Sequence, residues 1–117
     1  MRNIPSLKQP ISVAPLLSET VGDMLEVALN QLTVLFRTKE NPHRTDEPTM
    51  QFITRLYTEQ QTYIQGYRSL CEHWRKEKLN RRQKITLEKL EAKITELEKA
   101  NRQILSLSRH FLEDALH

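Results

Sequence analysis

All five prolines of this chain lie at or before Pro48, and the 69 residues that follow hold a single helix breaker, Gly66. Proline fixes φ and removes a backbone donor, and an interior glycine costs a helix roughly 1 kcal/mol relative to alanine. A stretch this long with so few interruptions reads as helix rather than strand. The apolar residues agree. They recur in alternating steps of three and four through Ile53, Leu56, Gln60, Tyr63, Tyr67, Leu70 and Trp74, with Tyr57, Ile64 and Cys71 widening the stripe. A second seam runs through Leu87, Leu90, Ile94, Leu97, Asn101, Ile104, Ser108 and Phe111.

The two seams are out of phase by one residue. Extending the first past Trp74 places Glu77, Arg81, Lys84 and Glu88 at core positions, and the only apolar residue between Trp74 and Ile85 is Leu79. No continuous seam crosses this region, so a hairpin is expected, with Asn80 as a left-handed turn residue. The alternative is one unbroken rod of about 100 Å at 1.5 Å per residue.

Upstream, Pro5 and Pro10 and the absence of periodicity mark residues 1–13 as a flexible arm, able to strap onto a partner. Helix 1 is expected from near Pro15 to about residue 39, on a stripe of Leu17, Val21, Met24, Leu25, Ala28, Leu32, Leu35 and Phe36. Residues 40–48 (ENPHRTDEP) form a loop in which Thr45 or Asp46 caps the next helix. The expected fold class is all-α: a three-helix up-down-up bundle in which helices 2 and 3 form a long antiparallel coiled-coil-like hairpin. Residues 14–117 make one domain, with helix 2 at about 49–78 and helix 3 at about 82–115. One pole should gather Leu35, Phe36, Phe52, Ile53, Phe111 and Leu112 into a shared core. Helix 1 should end before the other pole, leaving residues of about 72–92 as a two-helix projection.

The charge distribution gives the strongest lead to function. The chain carries a formal +3, yet the window Arg75–Lys84 (RKEKLNRRQK) alone holds six basic residues against one acid, and the remaining segments nearly cancel. Such a cluster at a helix junction is often a solvated turn whose cations favour the carboxyl end of the preceding helix. It is also a device for holding polyanions. Arg75, Arg81 and Arg82 supply forks for phosphate oxygens, and Lys76, Lys78 and Lys84 act as point charges. Trp74 beside this cluster is a candidate for stacking on unpaired bases, whereas Tyr57, Tyr63 and Tyr67 belong to the packing stripe. No recognition-helix or zinc-finger pattern accompanies the window, so any nucleic-acid contact would be independent of sequence.

Other residue types point away from catalysis. His43, His73, His110 and His117 are scattered, no His-Glu metal motif or glycine-rich phosphate loop occurs, and no metal or cofactor is expected. The lone cysteine, Cys71, sits on the apolar stripe and reads as a small hydrophobe. Asn101 lies at a seam position and either sets register and partner number between chains or bonds Gln60 within a bundle. A second copy could pair through helix 3, with Lys93 facing Glu98 across the seam. No run approaches the roughly 20 apolar residues that span a bilayer, and no signal-peptide core is seen, so a cytoplasmic protein is expected.

The function expected from these features is a non-enzymatic helical adaptor or accessory subunit that meets protein partners through a coiled-coil face and the basic tip. The alternative is a nucleic-acid-binding subunit of a nucleoprotein complex, using residues 75–84 for phosphate contacts.

Overall fold

The computed structural model describes residues 9–40 and 46–115. Among them the chain is all-helical, with no strand and three long helices: α1 (Ala14–Glu40), α2 (Glu47–Arg75) and α3 (Arg81–Ala115). Residues 1–8 of the expected arm, Thr45 with most of the expected loop, and His43 and His117 lie outside the described residues.

Each helix boundary has a local cause. Pro10 is extended, and its carbonyl accepts from Val13 N–H (3.0 Å) to close a 3-10 turn, Ile11–Val13, that leads into α1. The end of the expected arm is thus ordered. α1 closes with Arg37 and Lys39 in its last turn, where cations complement the helix dipole. α2 opens with Asp46 extended, Glu47 and Pro48 in its first turn, and Met50 N–H donating to the Asp46 carbonyl. Asp46 occupies the cap position, but its side chain makes no cap bond.

α2 ends at Arg75, three residues before the expected end near 78. Lys76 and Glu77 turn the chain through bonds to the carbonyls of His73 and Trp74. Asn80 then starts α3 by a reciprocal capping box: Gln83 N–H donates to Asn80 Oδ1 (2.8 Å) and Asn80 N–H donates to Gln83 Oε1 (3.0 Å). No described residue has positive φ, so Asn80 acts as a cap and not as the left-handed turn residue expected. The continuous rod is excluded by this break, and the principal extents of 55 × 24 × 19 Å are about half its length.

α3 lies along both other helices. Its seam is filled within the chain: Leu87, Leu90, Ile94, Leu97, Asn101, Ile104 and Ser108 are all buried. They face Ile53, Tyr57, Ile64, Leu70 and Trp74 of α2 and Ala14, Leu17, Val21, Ala28, Leu32 and Leu35 of α1 in one core. Cross-links between α2 and α3 join Arg75 to Glu91, Arg68 to Glu98, Gln60 to Asn101 and Thr54 to Ser108, so partner numbers fall on α2 as they rise on α3. α1 meets α2 where Tyr67 Oη donates to Met24 Sδ (3.7 Å), and meets α3 where Lys93 Nζ donates to Ser18 Oγ (3.0 Å). With Lys93 engaged on α1 and Glu98 on α2, the expected pairing of two copies through helix 3 has neither an open seam nor its charge contact.

The polar seam residues are satisfied inside the chain. Gln60 Nε2 donates to Asn101 Oδ1 (3.0 Å), and Asn101 Nδ2 donates to the Tyr57 carbonyl (3.0 Å). The shared apolar pole is only partly as expected: Leu35 and Ile53 are buried and Phe111 and Leu112 half-buried, but Phe36 and Phe52 are exposed.

Glu98 ties the hairpin together by accepting from Arg68 Nε and Nη2 (3.2 and 3.1 Å) and from Arg102 Nη2 (2.7 Å). The Arg68 bonds, opposed by partial burial and aided by Arg102, hold its carboxyl below the usual carboxylate range. A depressed folded-state pKa stabilises above the unfolded value, near 4.3, and that contribution fades as pH falls through the folded value. Glu98→Gln should therefore cost about 1 kcal/mol at neutral pH, with the gap from wild type closing below about pH 4. Urea midpoints across this pH range check it, and a gap independent of pH would assign the loss to packing.

Candidate functional site

The tip forms because nothing in it can be buried. Between Trp74 and Ile85 only Leu79 packs inward, half-buried, so the core stops and two helix ends face solvent. The capping box holds this turn in place while the cations project from it.

Six basic residues were candidates, and they divide. Arg75 belongs to the fold: its Nε and Nη2 bind both carboxylate oxygens of Glu91 (2.8 and 2.5 Å) across to α3. That bidentate pair, with Glu88 nearby, raises the guanidinium pKa still further. Among the described residues, Arg75 is thus the one of the six engaged by a carboxylate within the chain. Lys76, Lys78, Arg81, Arg82 and Lys84 are exposed and have no ion-pair or side-chain hydrogen-bond partner among the described residues. The one acid in the window, Glu77, faces His73 at 3.9 Å.

Three of these five, Arg81, Arg82 and Lys84, sit in the first turn of α3, which contains no acid. A helix amino terminus carries partial positive charge, so cations there cost stability. The benign explanation, cations serving the carboxyl end of α2, covers Lys76 and Lys78 but not the other three.

Trp74 is not available for stacking. It is fully buried, and its Nε1–H donates to the Gln9 carbonyl (2.9 Å). Gln9 thus meets the end of α2 at Trp74, so the two-helix projection is shorter than expected and begins beyond Trp74. The exposed aromatics, Phe36 and Phe52, are at the other end of α1 and the start of α2.

The sequence could have revealed the Asn80–Gln83 box, because an amide cap followed three residues later by Gln is a recognisable pattern. The partners Glu91 and Gln9 carry no such signal, since their contacts depend on hairpin register and on the path of the arm.

Elsewhere, Cys71 is buried, and burial, reinforced by Glu91, pushes its thiol up to about 12, which suits a core side chain and not a nucleophile. Among the described residues no three His, Cys, Asp or Glu side chains converge as a metal site would require. No described helix is long and apolar enough to cross a membrane. The chain matches no family model, no curated protein and no solved structure.

Proposed function

We infer that this protein is a non-enzymatic, cytoplasmic accessory subunit of a nucleoprotein assembly, holding nucleic-acid phosphates on the basic tip. In this reading the three helices form an up-down-up bundle whose α2 and α3 make an antiparallel, coiled-coil-like hairpin, supported by the falling and rising partner numbers of their cross-links. The body meets protein neighbours and the hairpin presents the tip.

The observation that carries the reading is five cations within nine residues that have no partner among the described residues, three of them placed against the dipole of their own helix. Charge kept where it costs stability calls for an anion. Phosphate fits better than an acidic protein surface, because protein interfaces build on an apolar or aromatic centre. The tip offers only Ile85 on its flank and no aromatic residue. Lacking a stacking surface and base-reading amides aligned on a groove-sized helix, it should bind the backbone without regard to sequence.

The test is fluorescence anisotropy with short duplexes and single strands across a salt series. Five neutralised phosphates give a log–log slope of about −4.5 on duplex DNA, from about −0.9 per contact, and about −3.5 on single strands, with similar affinity for unrelated sequences. No binding at low salt, or binding indifferent to salt, would remove nucleic acid as the partner and leave protein docking alone.

A further inference from the structure

The second half of α1 is unlike the rest of the surface. From Val27 to Phe36 (VALNQLTVLF) it carries no charge, and seven of its ten residues are apolar. Ala28, Leu32 and Leu35 enter the core, while Val27, Leu29, Val34 and Phe36 remain 62, 49, 52 and 49% exposed. Exposed apolar residues therefore flank the core face of this helix on both sides, more than a surface helix with one buried stripe needs.

The outward residues have an order that names what covers them. At 3.6 residues per turn, Glu26, Asn30, Thr33 and Arg37 fall on one line along the face opposite the core. Val27 and Val34, seven apart, form one shoulder of that line, and Leu29 and Phe36, also seven apart, form the other. Glu26 and Arg37 close the uncharged segment with opposite signs, and neither has an ion-pair partner among the described residues.

We propose that this face pairs with the same face of a second copy, antiparallel, about a twofold axis between Gln31 and Leu32. That register sets Glu26 level with Arg37 of the second copy and Asn30 level with its Thr33. The valines of both copies interleave on one shoulder, and Leu29 and Phe36 of both copies on the other. Every contact then occurs twice, as an isologous interface requires. A parallel pairing would set Glu26 on Glu26 and Arg37 on Arg37, and like charges exclude it. Phe52 of α2, which shares a cleft of about 400 Å³ with Val34 and Leu35, widens the first shoulder. This interface uses α1, leaves the filled seam of α3 untouched, and does not depend on what the tip holds.

Sedimentation velocity on the full chain tests it. Since one helix face buries less than the roughly 800 Å² per partner of a standard interface, dissociation in the range of tens of micromolar is expected. Glu26→Arg and Arg37→Glu should each weaken the dimer at least about 10-fold, because each reversal creates two like-charge contacts. The double variant, which exchanges the charges, should return it to within about 3-fold of wild type. Val34→Asp should abolish it while leaving circular dichroism unchanged. A chain monomeric up to about 500 μM, a dimer unaffected by Val34→Asp, or a charge exchange that fails to restore association would each overturn the proposal.

Discussion

Reversing three cations of the tip, Lys78→Glu with Arg81→Glu and Arg82→Glu, is expected to abolish polyanion binding and raise the melting temperature in the same molecule. Each reversal removes two charges, taking the chain from +3 to −3. Only Lys76 and Lys84 then remain of the unpartnered cations, now beside three added carboxylates. At low salt, affinity for duplex should fall by about a thousandfold or more, because attraction is replaced by repulsion at three of five contacts. Stability should move the other way. Among the described residues Arg81 and Arg82 have no partners to lose, and the two carboxylates in the first turn of α3 gain about 0.3–1 kcal/mol each from the helix dipole, which outweighs the single unfavourable carboxylate at position 78 beyond the carboxyl end of α2. For a chain of 117 residues, a gain of 1 kcal/mol raises the melting temperature by about 4 °C. Opposite signs in binding and stability are the signature of residues kept for function. A variant that melts lower would make the tip structural, and one that still binds would move the site elsewhere. Arg75 is left out of the set because Arg75→Glu would break the bidentate bond to Glu91 and set two carboxylates against each other, mixing a folding defect into the result.

The tip is legible in the sequence and its chemistry is not, because the two depend on signals of different range. Periodicity is local, so the seams of α2 and α3 were legible from the spacing of residues such as Leu56, Tyr67, Leu90 and Ile94. The break followed from a run with nothing to bury, and the capping box only refined it. Which cation is free is a different kind of question. Arg75 and Arg81 look alike in sequence, but the register of the hairpin sets Glu91 opposite one of them, sixteen residues away in the chain. Phe36 and Phe52 illustrate the same limit. Phe36 is on the expected stripe of helix 1 and Phe52 beside that of helix 2, yet a shift of one residue around a helix separates Leu35 and Ile53, which are buried, from their exposed neighbours. Apolar character identified candidates for the core; only the angle at which three helices meet decides which of them enter it.

Trp74 brings that distinction to a measurement. Trp74→Ala should cost about 3–5 kcal/mol, from lost transfer energy and the cavity left at a fully buried indole. Against a total stability of about 5–15 kcal/mol, this lowers the melting temperature by at least about 12 °C and unfolds a marginal chain. The loss should be larger than for other single truncations, because the indole N–H also anchors the Gln9 carbonyl and with it the approach to α1. Trp74→Phe isolates the two effects. It keeps most of the ring volume, gives up the hydrogen bond, and should cost about 1–2 kcal/mol, leaving a folded protein in which the tip cations are unchanged. Salt-dependent binding by that variant should lie within about 2-fold of wild type, since phosphate contact makes no use of an indole. Stacking predicts otherwise, because an aromatic residue on a base is worth about 1–3 kcal/mol, or roughly 5- to 150-fold in affinity. As the only tryptophan in the chain, Trp74 also reports directly. Its emission should be that of a buried indole and should stay unshifted when polyanion is added. A red-shifted spectrum, or quenching on titration with single strands, would show the indole leaving Gln9 for the ligand, and the tip would then be read as a base-binding surface instead of a phosphate clamp.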